Sequence, residues 1–257
     1  MKAVILCGGL GTRLREETEF RPKPLVPVGE RPILWHIMKT FAHYGITDFV
    51  LCLGYRGDLI KEYFLNYDAL NNDFTLCLGN RTTTHYHNLH DEQNFNVTLV
   101  DTGPLTMTGG RLKRVQKYVQ DEPFMLTYGD GVADIDISAL IDFHGRHGKL
   151  ATMSTVRSVS RFGLVNTSAD DLILSFSEKP QTDSWMNIGF MVFNPGIFDY
   201  LSGDECVLER EPLEHLAADR QIVAYRHAGF FYAMDTYREY QALNEIWATG
   251  KAPWKVW

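Results

Sequence analysis

Nothing in this sequence stays apolar for the about 20 consecutive residues that a membrane span needs, and its first residues hold no apolar stretch long enough for a secretory leader. Cysteine is scarce: Cys7, Cys52, Cys77 and Cys206 are spread along the chain with no C-x-x-C pair. A disulfide scaffold and the common zinc frameworks are therefore excluded. Cys7 and Cys52 lie in apolar, strand-like runs, as buried thiols of a reducing compartment do, so a cytoplasmic protein is expected. Surplus positive charge is missing too. The 25 Lys and Arg face 32 Asp and Glu, for a net charge of −7. Neutralising a phosphate backbone needs the opposite balance. Neither a nucleic-acid binder nor a membrane protein is expected.

Two familiar phosphate loops are also absent. A P-loop needs Gly-Lys-Ser/Thr, and the chain has only Gly148-Lys149-Leu150 and Gly250-Lys251-Ala252. A dinucleotide fingerprint beginning at Gly9 and Gly11 would need Gly or Ala where Leu14 stands. What the chain does have is an apolar run, Ala3-Val4-Ile5-Leu6, that breaks into Cys7-Gly8-Gly9-Leu10-Gly11-Thr12-Arg13. Glycines at a strand end let backbone N–H groups approach a ligand closely, and successive N–H groups make an anion-binding concavity. Thr12 adds a hydroxyl; Arg13 and, between two prolines, Lys23 add positive charge. A nucleoside triphosphate fits that combination.

Further along, strand-like runs alternate with helical ones. Pro32 to Phe41 has helical spacing, Asp48–Leu53 reads as a second strand, Leu59 to Leu65 as a helix, and Phe74 to Leu78 as a third strand. Residues 80–94 are polar, with His85, His87 and His90, and read as a solvated loop or subunit contact rather than a metal site. Asn96 to Val100 and Pro123 to Tyr128 are further strands, with a basic helix between them that opens at Gly109-Gly110-Arg111. This alternation predicts an α/β, Rossmann-like fold: a mostly parallel sheet flanked by helices. Gly129-Asp130-Gly131 ends one strand, and an acidic residue there suits a hard cation; Asp235 is the natural second carboxylate. After residue 150 the long helices thin out. Strands at Phe162 to Val165, Leu172 to Phe176 and Ile188 to Phe193 predict an antiparallel, acceptor-binding portion. Glu178 there could accept from hydroxyls, Lys179 could meet a phosphate, and Asn187 and Gly189 could line the same pocket. Tyr225 to Met234 reads as a strand pair or bent strand, and the two tryptophans of the Lys251-to-Trp257 tail are expected to pack on a surface. One domain is expected, with residues 1–150 as the nucleotide- and metal-binding half and 151–257 as the acceptor half, last helix and tail.

The residues Leu6 to Leu14 with Lys23-Pro24, Tyr128 to Gly131, Glu178-Lys179-Pro180, Asn187-Ile188-Gly189 and Asp235-Thr236 resemble the sugar-1-phosphate nucleotidyltransferases over nearly the whole chain. Asn96 to Gly103, Met107 to Leu112 and the tail resemble the glucose-1-phosphate cytidylyltransferase branch. The resemblance implies a fold of the nucleotide-diphospho-sugar transferase type, Mg²⁺ as cofactor, CTP and a sugar 1-phosphate as substrates, CDP-glucose and pyrophosphate as products, and a homo-oligomer. It also implies roles. The backbone of Leu6, Cys7, Gly8, Gly9 and Gly11, with Thr12, Gly129, Thr106 and Arg111, would hold the nucleotide. Arg111 would donate to the cytosine O2. Lys23, Arg13 and Asp130 would be catalytic, Asp130 and Asp235 would hold the metal, and Glu178, Lys179, Asn187 and Gly189 the sugar phosphate. The chain departs from the branch at Cys7, at Ser158-Val159-Ser160, at Ile188 and at Phe231-Tyr232-Ala233. Ile188 is expected to add bulk to the acceptor pocket. That leaves room for another acceptor or nucleotide, and a catalytically silent nucleotide-sugar sensor is the rival from another class.

Overall fold

The computed structural model describes residues 1–79, 83–160 and 162–257. At its centre is a seven-stranded sheet. In chain order the strands are β1 (Ala3–Cys7), β2 (Asp48–Leu53), β3 (Asn96–Asp101), β4 (Phe124–Tyr128), β5 (Ala151–Val159), β6 (Gln181–Phe193) and β7 (Ile222–Arg226). Across the sheet they lie in the order β7-β5-β6-β4-β1-β2-β3. Neighbours pair parallel except around β6, which runs against both β4 and β5.

β1 is buried along its whole length, as a central strand with both faces covered must be. Its side chains alternate between two apolar layers. Ala3, Ile5 and Cys7 meet Ile33, Ile37 and Phe41 of the helix Ile33–His43. Val4 and Leu6 meet Leu112 and Val115 on the other face. Fully burying side chains such as Ile5 and Phe41 stabilises the fold by roughly 1.5–3 kcal/mol each. β1, β2, β3 and β4 run the same way, so their carboxyl ends share one edge. The strand order reverses beside β1: β2 and β3 lie to one side and β4 to the other. Ligands of open α/β sheets bind in such a crevice.

Four readings of the sequence change here. The segment Phe74–Leu76 does not enter the sheet; it pairs with Thr84–Tyr86 in an exposed antiparallel hairpin. Phe74, Leu76 and Leu78 alternate with Thr75 and Cys77, giving a single apolar face, whereas an inner parallel strand is apolar on both. Part of the polar excursion, Asn80 to Thr82, lies outside the described residues. The strands Leu164–Thr167 and Ile173–Ser177 likewise form their own hairpin beside the sheet, and only β6 carries the antiparallel portion into it. The run expected from Tyr225 to Met234 splits in two: β7 adds to β5, and Phe231–Ala233 pairs antiparallel with Gly131–Ala133. Finally, the tail is not a surface feature throughout, since Trp254 is fully buried against His36, Trp247 and Phe230. Among the described residues no helix is long and apolar enough to cross a membrane.

Candidate active site

A cavity of about 480 Å³ opens at the carboxyl edge of the sheet, where β1 and β4 part. That volume is ordinary for a small-molecule site. The turn after β1 forms its floor. Gly8 has no room for a side chain, because a Cβ would stand 2.2 Å from the Arg111 guanidinium carbon. Gly11 has a left-handed backbone, φ +64°, which glycine adopts without strain. Leu14 N donates to Gly11 O at 2.9 Å, closing the short turn Thr12–Leu14. Thr18 Oγ1 lies 2.8 Å from Gly11 O and 2.7 Å from Leu14 O, which fixes the turn from behind.

Four charged side chains meet at one end of the cavity. Lys23 follows Pro22 on the short helical turn Lys23–Leu25. Its Nζ donates to Asp130 Oδ2 at 2.6 Å and to Asp235 Oδ1 at 2.8 Å. Arg13 reaches the same Asp235 oxygen at 2.9 Å, with its side chain 70% exposed against 12% for Lys23. The two aspartates are far apart in sequence, and the backbone explains their meeting. Asp130 lies two residues past the end of β4, and Gly131–Ala133 then pairs with Phe231–Ala233. Met234 N donates to Asp130 O at 2.9 Å, so the next residue, Asp235, is delivered beside Asp130. The helix Tyr237–Ala248 finishes the placement: its capping box has Glu239 Oε2 accepting from Asp235 N and Thr236 N, each at 2.8 Å.

The opposite wall comes from residues 104–108 and from Arg111 on the helix Thr108–Arg114. Arg111 is buried, with a backbone-binding role that the sequence reading did not anticipate. One terminal nitrogen donates to Leu53 O, Thr102 Oγ1 and Gly103 O at 3.0, 2.8 and 2.7 Å, and the other to Gly8 O at 2.9 Å. Here the guanidinium staples the ends of β1, β2 and β3 together, rather than standing free for a base. Burial pulls its pKa below the ordinary arginine value. Burial also pushes the Cys7 thiol well up, with Cys52 and Asp130 acting in the same direction. Cys52 is pushed up to about 12. Neither thiol is an activated nucleophile.

Leu6, Cys7, Gly8, Gly9, Gly11, Thr12, Arg13, Lys23, Thr106, Arg111, Gly129, Asp130 and Asp235 therefore share one cavity. Glu178 and Lys179 do not line it. They sit exposed by the hairpin Ile173–Ser177, 3.9 Å from each other, with Lys179 at φ +46°. Asn187 and Gly189 border it through Tyr128: a Cβ on Gly189 would come within 2.4 Å of the Tyr128 ring. Ile188 points its bulk elsewhere, being 3% exposed in the apolar layer with Phe190 and Ile5, so it does not line the cavity. Sequence reasoning passed over Tyr128 and Thr108 as side chains, and over Glu209 altogether. Burial first, and then the Glu209 carboxylate, hold the Tyr128 phenol protonated well above the ordinary tyrosine range. As for the histidines of the excursion, His87 meets Thr75 Oγ1 at 2.8 Å and His90 meets Asp68 at 2.9 Å. Among the described residues no cluster of three metal-ligating side chains occurs.

The nucleotidyl transferase family model matches residues 2–237. The chain belongs to the nucleotidyl transferase family. Two relatives are similar along the full length of both chains: the glucose-1-phosphate cytidylyltransferases of Salmonella typhi and Salmonella typhimurium, each 51% identical over 260 residues. The fold is shared with solved members of the wider group. HddC from Yersinia pseudotuberculosis superposes with a TM-score of 0.69 at 22% identity, covering 96% of this chain and 99% of that one. In this chain, the crevice beside β1 and the acidic pair facing it are the features that the rest of the sheet positions.

Proposed function

We propose that this protein is a glucose-1-phosphate cytidylyltransferase, converting CTP and α-D-glucose 1-phosphate to CDP-glucose and pyrophosphate. What carries the reading is the convergence of Lys23, Asp130 and Asp235 at the carboxyl edge, in a chain half identical along its length to enzymes of that name. A phosphate oxygen of the sugar phosphate attacks the α-phosphorus. A P–O bond forms there as the bond to the departing pyrophosphate breaks. No protein nucleophile is required, so the protein's work is positioning and charge stabilisation.

The Gly8–Thr12 backbone, with the Thr12 hydroxyl, cradles the triphosphate. Arg13, exposed at the mouth, steadies the pyrophosphate as its charge grows. Lys23 offers an ammonium where the α-phosphate and the acceptor phosphate must crowd together. Asp130 and Asp235 suit Mg²⁺ in kind and number. They are hard oxygen donors brought together by their shared partner Lys23 Nζ, and this ion is commonly held by one or two carboxylates plus phosphate oxygens. Bound there, Mg²⁺ supplies Lewis-acid charge to the phosphate oxygens. Thr106 and the backbone of Leu6 to Gly9 face the base. Arg111 shapes that wall through the carbonyls it binds, and Asn187 and Gly189 border the acceptor side.

The protein acts in this reading as a cytoplasmic homo-oligomer. Leu174 and Phe176 support self-association: they stand 68% and 64% exposed on the hairpin formed by Leu164–Thr167 and Ile173–Ser177. Pyrophosphate release from a panel of triphosphates and sugar 1-phosphates, with and without Mg²⁺, tests the assignment. CTP with glucose 1-phosphate is expected to give the highest kcat/KM. Faster turnover with UTP or dTTP would sink it, and no turnover with any pair would favour a silent sensor.

A further inference from the structure

Residues 203–209 lie against the start of the helix Thr108–Arg114. Met107 N donates to Asp204 O at 2.8 Å, and Gly109 N and Gly110 N donate to Cys206 O at 2.9 and 3.1 Å. Leu208 N donates to Thr108 Oγ1 at 2.9 Å. Arg114 grips Asp204 with two nitrogens, at 2.8 and 2.6 Å. N–H groups at a helix start are ordinarily available to an anion; these are spent on protein carbonyls. The wall they belong to is therefore held by this loop.

The loop ends in a carboxylate that faces the other way. Thr108 Oγ1 donates to Glu209 Oε2 at 2.6 Å. Tyr128 OH donates to Glu209 Oε1. Thr108 belongs to the base-side wall and Tyr128 to the end of β4, one residue from Gly129 and two from Asp130; both line the cavity. Tyr128 in turn packs on Gly189 of β6, and Gly189 N donates to Asn187 Oδ1 at 2.8 Å. A single side chain thus joins the two walls of the nucleotide cavity, and through Tyr128 it reaches the strand bordering the acceptor. Charge-assisted bonds of this kind are about twice as strong as neutral ones.

We propose that Glu209 is a positioning residue that straps the 104–111 wall to Tyr128 and so sets the width of the cavity for the nucleoside triphosphate. The ligand it positions rests on the cytidylyltransferase reading. Glu209 is exposed at the rim, so its replacement opens no hole in the core. In Glu209→Ala the KM for CTP rises about tenfold while kcat moves by less than about threefold, the pattern of lost binding rather than lost chemistry. Glu209→Gln keeps an acceptor oxygen and recovers most of the affinity. Thr108→Ala and Glu209→Ala together cost less than the product of their separate effects, because they break the same strap. A CTP KM for Glu209→Ala within about twofold of wild type, or independent effects of the two substitutions, overturns the proposal. Each comparison is made with whichever triphosphate the wild-type enzyme turns over fastest. A wrong nucleotide assignment then shows in the wild type alone, and a failed strap only in the variant-to-wild-type ratio.

Discussion

At the scale of the residue, Lys23 balances two carboxylates at once, and its replacement has two consequences. Lys23→Ala removes the cation expected at the reacting phosphates and takes from Asp130 and Asp235 the ammonium they share, while Arg13 still reaches Asp235. Turnover should fall at least ~100-fold, the scale of losing a transition-state donor; a stopped assay of pyrophosphate release reads it, and near-normal turnover would end the assignment. Asp130→Asn keeps the shape and removes a charge. Its rate loss should be partly recovered at raised Mg²⁺, so an unchanged Mg²⁺ titration would count against Asp130 as a ligand. These two residues were legible in the sequence because each sits where a strand or proline turn stops and a ligand can approach. Arg111 was legible as important but not in its geometry. Most of its partners are carbonyls, those of Gly8, Leu53 and Gly103 among them, and a carbonyl leaves no mark in a sequence. Glu209 was not legible at all: it lies in an ordinary polar stretch, and only the fold brings it to Tyr128.

At the scale of the element, the short pairing of Gly131–Ala133 with Phe231–Ala233 is what converts two distant aspartates into a pair. Three residues a side is little ladder to rely on, and Asp134 reinforces it. Its Oδ1 accepts from Phe230 N at 2.7 Å and lies 2.9 Å from His227 Nε2, closing the loop that leads into Phe231. Asp134→Ala should leave Phe230 N without its acceptor and cost about 1–3 kcal/mol, read as a lower urea midpoint. It should also raise the Mg²⁺ needed for half-maximal rate, since Asp235 depends on that loop for its place. A destabilised variant with normal Mg²⁺ dependence would separate the loop from the acidic pair. The parallel strands were readable from runs such as Val50-Leu51-Cys52-Leu53, which need burial on both faces. The hairpins were separable from them only in part: Phe74 to Leu78 alternates to a single apolar face, but Leu172 to Phe176 is as apolar as a sheet strand without being covered like one.

At the scale of the molecule, the two ends of the chain close on one another around a histidine. His36, fully buried on the helix Ile33–His43, lies 2.9 Å from Val28 O through Nε2, and its Nδ1 accepts from Trp254 Nε1 at 3.3 Å. Trp247 and Trp257 complete the surrounding aromatic wall. A neutral imidazole with its proton on Nε2 satisfies both contacts, whereas a protonated one would set an N–H against the Trp254 N–H. Burial is the main cause that lowers the His36 pKa from 6.5 to about 4, with the backbone contacts to Val28 and Arg31 pulling the other way. The sign follows from proton binding. Between pH 6.5 and about 4 the unfolded chain takes up a proton that the folded chain refuses, so acid favours unfolding. This contribution is intact above pH 6.5 and is lost as the pH falls toward 4, amounting to about 3 kcal/mol over that span. His144 and His147, whose pKa values burial also lowers, act in the same direction. Urea unfolding at a series of pH values from 7.5 to 4.5 should show the midpoint falling with acid, and His36→Gln, which retains a donor for Val28 O but does not titrate, should flatten that fall. An equally steep fall in the variant would move the acid sensitivity away from the junction between the tail and the first helical layer.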